Sequence, residues 1–192
     1  REALAVAVLH EADVRDYLVD CLAEQAHCAA LAGDAATAET MLVEAHAARD
    51  GSFGPDEEHL ALAQIWAAVA RGESSCGLAE AQRWAERARS MDLIREALSA
   101  WHEVARLGAP RRANERLHDL VHRIEGPLWN TCARHVEALC NKNGRALDSI
   151  SLTFESLGAV LWAAEAAAEA ARQHGRCGRK GSALTSAARA KA

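Results

Sequence analysis

Five glycines recur along the chain at a nearly constant interval, and this interval limits the folds that the chain can adopt. Each glycine follows one apolar, alanine-rich run and precedes another. The intervals are 39, 36, 36 and 34 residues, between Gly33, Gly72, Gly108, Gly144 and Gly178. Because glycine readily takes the left-handed conformation that ends a helix, each glycine is predicted to mark a turn between two helices. A repeat of this length is typical of stacked helical hairpins.

The side chains keep the same phase as the glycines. Apolar residues stand 5, 9 and 12 positions after three of them, and a small or aromatic residue stands seven positions before the same three. The later positions are Ala38, Leu42 and Ala45, then Ala113, Leu117 and Leu120, then Ala183, Ala187 and Ala190; the earlier ones are Ala26, Trp101 and Ala171. In the second and fourth repeats the sequence allows two registers that differ by one residue. The pattern resembles the tetratricopeptide repeat, in which small residues of one helix nest against its partner.

Composition supports helices and argues against a sheet. Alanine accounts for 45 of the 192 residues, and it has the highest helix propensity. Valine and isoleucine are sparse and strict alternation is rare, so no strand is predicted. We therefore expect an all-α fold, an α-solenoid of about five tetratricopeptide-like hairpins in one domain covering residues 1–192.

The helix boundaries follow from the same pattern. Residues 1–12 are predicted to be the tail of a helix, and each proline, Pro55, Pro110 or Pro127, lies between two predicted helices or at the start of one. Residues 50–55 and 72–75 are predicted loops. The predicted helices cover about 14–31, 35–49, 55–71, 78–91, 92–107, 111–124, 128–140, 147–157, 160–174 and 179–190.

Charge argues against nucleic-acid binding by the chain as a whole. The net charge is −5, whereas a nucleic-acid clamp needs a basic face. From Arg145 onward, however, seven lysines and arginines stand against four acidic residues. A solvated helix end is the favoured interpretation of this basic cluster, and a docking patch for a following module or for nucleic acid is the alternative. The cluster consists of Arg172, Arg176, Arg179 and Lys180.

The cysteines predict the cellular compartment of the protein, and the first residue bears on whether the chain is part of a longer one. Six cysteines are scattered without a CxxC pair, as expected for reduced, buried thiols in a cytoplasmic protein. No signal peptide is visible, and no apolar run reaches the length of a membrane span. The chain begins at Arg1, so we expect a piece of a longer protein. The oligomeric state is open, and a homo-oligomer is one alternative.

One group of side chains has the spacing of metal ligands. His118 and His122 are four residues apart on a predicted helix, and Cys132 and His135 are three apart on the next. A composite four-ligand site is one interpretation. Two solvated histidines are the favoured one, because no carboxylate base accompanies the pair. We expect no metal site.

The glycine-rich segment at 175–182 is not a nucleotide site. A phosphate loop requires glycine where Lys180 stands, and it follows a strand rather than an alanine-rich helix. No hydrolase or metalloprotease motif is present either. The sequence therefore predicts no enzyme, no catalytic residue and no cofactor.

A repeat scaffold acts by presenting a surface, so the candidate site is a partner groove on the inner face of the hairpins. The phase of the repeats places polar and aromatic residues there, one helical step from the packing positions. The candidates are His27, His59, Trp66, Arg95, His102, Arg134 and Arg172.

Three stretches carry a more specific resemblance. They are AWHEVARLG at 100–108, GPLWNTCARHVEAL at 126–139 and LTFESLGAVLWAAEAAAEAARQHGRCGRK at 152–180. Together they resemble the helical-repeat region of large actinobacterial LuxR-type transcriptional regulators, the MalT-like, ATP-binding class. The resemblance covers about residues 57–192.

The resemblance implies a non-catalytic scaffold that binds a protein partner or a small-molecule inducer. In that family an N-terminal nucleotide-binding module precedes the repeats and a C-terminal helix-turn-helix follows them. The chain itself would bind neither ATP nor DNA, because the motifs of both modules are absent from it. The alternative is a stand-alone tetratricopeptide adaptor that binds a peptide or protein in its concave groove.

Overall fold

The computed structural model describes residues 15–49 and 57–191, and within them the chain forms α-helices joined by short turns, with no strand. The all-α prediction is confirmed. One 3₁₀ segment, Val121–Arg123, follows the sixth helix. The helices are α1 (Arg15–Leu31), α2 (Ala35–Ala48), α3 (Glu57–Ala70), α4 (Ser74–Ser90), α5 (Ile94–Arg106), α6 (Pro110–Leu120), α7 (Pro127–Cys140), α8 (Gly144–Ser156), α9 (Val160–Arg176) and α10 (Lys180–Arg189).

The helices belong to two compact units, Arg1–Asp92 and Leu93–Ala192. The single continuous domain expected from the sequence stays a prediction. Among the described helices, none is both long and apolar enough to cross a membrane.

In the first unit, α1 packs on α2 and on α3, and α3 packs on α4. The contact between α1 and α3 joins the first helices of successive hairpins, which is the arrangement of a helical solenoid. Its core is built from alanine and leucine, so the helices approach closely. Fully enclosed members include Leu22, Ala23, Ala26, Ala38, Ala45 and Ala63.

In the second unit, every helix from α5 to α10 packs on the next one along the chain, and α5 also packs on α7. This again joins the first helices of two hairpins. The core here contains larger and more varied side chains than the core of the first unit. Members include Cys132, Leu147, Ile150, Phe154, Ala166 and Ala170.

A repeated turn ends seven of these helices. The second residue after the helix has a positive φ, and in six of the seven turns the N–H of the following residue donates a hydrogen bond back to a carbonyl of the helix. After α1, for example, the Gly33 N–H donates to the Ala30 carbonyl at 3.0 Å and the Asp34 N–H to the Ala29 carbonyl at 2.9 Å. This pair of backbone hydrogen bonds is the Schellman motif. The positive-φ residues of the seven turns are Gly33, Gly72, Asp92, Gly108, Lys142, Gly158 and Gly178.

Gly144 was predicted to be one of these turn residues, and that prediction is wrong. The positive φ of the turn after α7 belongs to Lys142, at 50°. Gly144 is instead the first residue of α8, where Asn143 accepts a hydrogen bond from the Ala146 N–H. It lies against α9: a Cβ atom at this position would stand 3.0 Å from Cε1 of His174 and 3.3 Å from the Ala170 carbonyl oxygen. Close packing, not backbone conformation, explains this glycine.

The turn residues fix the phase of every hairpin. Counted from them, the residues at 5, 9 and 12 positions are buried in the first four hairpins, as predicted for the first and third. The second and fourth sets, open in the sequence, are Gly77, Ala81 and Trp84, and Leu147, Ser151 and Phe154. The fifth set differs, because Ala183, Ala187 and Ala190 are only half-buried and Ser186 is the buried residue of α10.

Several predicted boundaries are corrected. Helix α4 begins at Ser74 rather than at residue 78, because Gly72 completes a two-residue turn and leaves no room for a longer loop. Helix α8 begins three residues earlier than predicted, and α9 continues two residues further, to Arg176. Helix α6 ends at Leu120 and the 3₁₀ segment follows. The predicted helix tail at 1–12 and loop at 50–55 lie outside the described residues.

Candidate functional site

The second unit contains a pocket of about 440 Å³, formed between the first helices of its three hairpins. We call it the second-unit pocket. Its walls come from the C-terminal part of α5 and the turn that follows it, from α7 with its turn, and from α9 between Glu165 and Arg176. Its polar lining residues are Arg106, His135, Lys142, Glu165, Glu169, Arg172, Gln173 and Arg176.

A pair of buried histidines lies at the inner wall of this pocket. Nε2 of His102 on α5 stands 3.0 Å from Nδ1 of His135 on α7, so one ring donates a hydrogen bond to the other. His102 is completely enclosed and contacts Trp162 edge to face, with ring centroids 4.7 Å apart. His135 is 2% exposed and contacts Phe154 edge to face at 5.5 Å. His102 therefore belongs to the core, and its prediction as a groove residue is wrong.

Both histidines are neutral near pH 7. Burial lowers the pKa of His135 to about 4, the positive charge of Arg106 acts in the same direction, and the negative charge of Glu169 opposes it. Burial, together with His135 and Arg106, lowers the pKa of His102 well below its usual value. An enclosed ring with two aromatic neighbours has no water to stabilise a charge. The pair is thus a neutral hydrogen-bonded unit.

Arg106 joins two walls of the pocket. Its guanidinium donates to both carboxylate oxygens of Glu103 at 2.7 Å and, through Nε and Nη2, to Glu165 of α9 at 2.7 and 2.6 Å. It also lies 6.0 Å from the centre of the Trp162 ring. Burial acts to lower the pKa of Arg106, but the Glu165 hydrogen bonds and the Glu103 charge raise it above its usual value. The ion pairs fix α5 against α9.

The remaining charges around the pocket fall into two groups. Glu169 is paired with Arg172 and also accepts a hydrogen bond from Gln173, all on α9. Lys142 and Arg176 are exposed, and neither has a hydrogen-bond or ion-pair partner in the described part of the chain. The pocket therefore carries paired carboxylates and two cations that remain available to a ligand.

The predicted groove residues are distributed between the two units. Of those in the second unit, Arg172 lines the pocket, whereas Arg95 and Arg134 are exposed outside its lining. In the first unit, His59 is half-buried with Nδ1 at 3.0 Å from Asp20.

The other two candidates of the first unit are His27 and Trp66. His27 is half-buried on α1, and Trp66 is half-buried on α3, where it packs against the alanine-leucine core. A partner groove that joins all the candidates stays a prediction.

Sequence reasoning missed His135, Lys142 and Arg176 as pocket residues. The phase of the fourth repeat was left open in the sequence, and a count from Gly144 places Glu137 of α7 seven positions before the turn. Counted from Lys142, that position is His135, which is equivalent to Ala26 and Trp101 in their hairpins. The apolar series Leu147 and Phe154 on α8 was the available signal for this register.

The residues of the alternative metal site are not brought together. His118 and His122 are exposed neighbours with ring centroids 5.7 Å apart, whereas Cys132 and His135 lie in the core. Burial raises the pKa of the Cys132 thiol, which keeps it protonated. Across residues 15–49 and 57–191, no group of three or more such side chains is placed to hold a metal ion.

The glycine-rich segment forms the last turn and the helix ends beside it. Gly175 lies in α9, Gly178 is the positive-φ residue and Lys180 begins α10. The segment thus joins two helices.

The chain was compared with known proteins in three ways, and no protein-family model, curated protein or solved structure matches it.

Proposed function

We propose that the chain is a non-catalytic helical-repeat scaffold that binds a protein partner or a small-molecule inducer in the second-unit pocket. One observation carries the proposal. The pocket is built by three successive first helices, α5, α7 and α9, and it keeps Lys142 and Arg176 unpaired. A pocket of about 440 Å³ has the size of a small-molecule or side-chain site.

The three stretches that resemble LuxR-type regulators contain the helices that line this pocket. The stretch at 100–108 contributes the end of α5, that at 126–139 contributes α7, and that at 152–180 contributes α9. The residues that suggest a regulator are thus those around the candidate site. In the proposed role, this region couples an N-terminal nucleotide-binding module to a C-terminal helix-turn-helix in the cytoplasm.

A ligand in this pocket would touch three hairpins at once. In a solenoid each repeat contacts only its neighbours, so a ligand that binds one spacing of the repeats more tightly shifts the whole array toward it. This gives a physical route from inducer binding to the modules on either side.

The proposal is tested with the purified chain of 192 residues. We expect a folded helical protein by circular dichroism, no ATP hydrolysis, and no sequence-specific retention of DNA in a gel-shift selection from random duplexes. Specific DNA binding by the chain alone, or ATP turnover that copurifies with it, would overturn the proposal.

The alternative is a stand-alone adaptor that binds a peptide in the same pocket. The unpaired cations favour this role as much as the first one, since they suit an acidic peptide. Sequencing the gene downstream of Ala192 separates the two. A helix-turn-helix soon after this residue supports the regulator, and its absence supports the adaptor.

A further inference from the structure

We propose that the second-unit pocket is a carboxylate-binding site in which His135, Lys142 and Arg176 hold the anion together. This inference rests on the proposed function, because it names the chemistry of the ligand that the scaffold receives. The same chemistry is offered by a small organic acid and by the acidic side chain of a peptide.

Charge complementarity is the first argument. Glu165 has both oxygens engaged by Arg106, and Glu169 is engaged by Arg172 and Gln173, so each carboxylate of the pocket wall already has a cationic partner. Because Arg106 also binds Glu103, the four cations of the lining stand against three carboxylates, which leaves an excess of one positive charge, with Lys142 and Arg176 as the cations without a partner. Two cations without partners, beside carboxylates that are already engaged, attract one anionic group.

The histidine pair supplies the second argument. His135 is 98% buried and lines the pocket, and its Nδ1 is occupied by His102. Its Nε2 atom has no hydrogen-bond partner among the described residues, yet it is not one of the fully enclosed polar atoms. Nε2 is therefore the polar atom that His135 offers to the pocket.

The enclosed Nδ1 atom of His102 determines whether Nε2 of His135 carries a proton. This atom has no hydrogen-bond partner within the described ranges. An enclosed N–H without an acceptor is rarer in proteins than an acceptor without a donor. The favoured arrangement thus has Nε2–H of His102 donating to Nδ1 of His135, which leaves His135 with Nε2–H. A neutral donor faces the anion.

The helix ends favour carboxylate over phosphate. Lys142 and Arg176 lie at the C-terminal ends of α7 and α9, where the partial charge of a helix is negative. Protein sites for phosphate are typically helix N-termini, whose free N–H groups point at the ligand. A carboxylate group, which bears one charge, is repelled less here than a phosphate group, which bears about two.

Calorimetric titration at low salt tests the site with three probes: succinate, a hexaglutamate peptide and inorganic phosphate. We expect the carboxylate probes to bind more tightly than phosphate. Lys142→Asn and Arg176→Gln should each weaken carboxylate binding by about tenfold, the loss of one charge-assisted hydrogen bond. Asparagine is chosen because it tolerates the positive φ of residue 142. The matched control is Arg134→Gln, an exposed arginine outside the pocket, which should change nothing.

The protonation and hydrogen bonding of His135 are observed directly by proton–nitrogen NMR of its imidazole ring. On addition of succinate, the Nε2–H proton of His135 should shift downfield as it enters a charge-assisted bond, while circular dichroism stays constant. This readout does not require a histidine variant to fold.

The outcomes separate the sources of the ligand and the two proposals. Succinate binding identifies a free small acid, and hexaglutamate binding without succinate binding identifies an acidic peptide; both support the site. Phosphate binding that equals carboxylate binding overturns it, as does carboxylate binding that neither substitution weakens. Absence of carboxylate binding also overturns the site, whereas the scaffold role falls only through DNA binding or ATP turnover.

Discussion

The two units of the chain share their turns and their packing register but differ in the side chains that stand at equivalent positions. Seven positions before the turn residue inside each hairpin, the first unit has Ala26 and Ile65, and the second has Trp101, His135 and Ala171. The backbone repeat therefore depends on the turns and on small residues at the packing positions. The polar and aromatic side chains of the candidate site lie where the second unit departs from the small, apolar side chains of the first.

The pockets of the two units differ in the same way. The pocket of the first unit measures about 280 Å³, and each of its arginines faces a carboxylate: Arg49 and Arg87 face Glu57, and Arg83 faces Glu80. The second-unit pocket keeps two cations beyond its ion pairs. Every arginine of the first-unit pocket thus has a carboxylate partner, whereas Lys142 and Arg176 of the second-unit pocket have none among the described residues, and these two cations mark the second pocket as the binding site.

The largest expected effect is the loss of the buried ion pairs of the second unit. Arg106→Met leaves Glu103, which is 3% exposed, without its strongest partner. Breaking a buried pair costs about 3–5 kcal/mol in the free energy of unfolding. Urea denaturation measures the loss. The matched change in the first unit, Arg83→Met at an exposed pair, should cost less than about 1 kcal/mol. Equal losses would contradict the contrast between the units.

The second effect is a loss of stability in acid that comes from the histidine pair. The pKa of His135 is about 4 in the folded chain, because of burial and Arg106, and about 6.5 when unfolded. Below pH 6.5 the unfolded state binds the extra proton, so stability is complete above 6.5 and falls as the pH is lowered toward 4. The charged groups that face the pair are Arg106, Glu165 and Glu169.

The size of the acid effect is on the order of 3 kcal/mol over that window. Melting temperatures of the wild type and of His135→Gln, measured from pH 7.5 to 4.5, report it. The variant should have the flatter profile, and His118→Gln, at an exposed histidine, should keep the profile of the wild type. A His135→Gln profile as steep as that of the wild type would show that the pair does not cause the loss.

The third effect concerns close helix packing in the first unit. A Cβ atom at Gly77 would lie 2.8 Å from the Ile65 carbonyl oxygen and 2.9 Å from Cγ2 of Val69. Because one of these atoms is backbone, α3 and α4 must move apart, and Gly77→Ala should destabilise the chain by about 1–3 kcal/mol. The control is Gly175→Ala in α9, where nothing lies within 4 Å. It should stabilise by up to about 1 kcal/mol through helix propensity. A neutral Gly77→Ala would contradict the packing argument.

Sequence reasoning reached the fold because its signals are local. Turn glycines such as Gly33 and Gly108, and the small residues that follow them, act within a few residues of chain. The fourth turn was missed because Lys142 takes a conformation that lysine rarely adopts, and Gly144 nearby offered a plausible substitute. One atypical residue shifted the register of a whole hairpin.

The site was less accessible to sequence reasoning for a different reason. His102 and His135 are 33 residues apart, and their burial depends on Trp162 and Phe154 from two other helices. No local pattern distinguishes a buried, neutral histidine from an exposed one. Arg172 was named both in the basic cluster and as a groove candidate, because it is a cation on the predicted inner face of α9, whereas Arg176, one turn later, was named only in the cluster.

The smallest expected effect tests the turn that the sequence concealed. Lys142→Gly removes the strain of a left-handed lysine and should stabilise the chain by about 1 kcal/mol. The reverse change at the equivalent turn of the first unit, Gly33→Lys, should cost a similar amount, since nothing lies within 4 Å of a Cβ there and only backbone strain acts. Urea denaturation of both variants measures the two effects. If the turns are equivalent, the two changes in free energy are equal and opposite, and the double variant unfolds at the urea concentration of the wild type. A loss of stability in Lys142→Gly would instead show that the lysine side chain stabilises its turn, and the two units would then differ in their turns as well as in their cores.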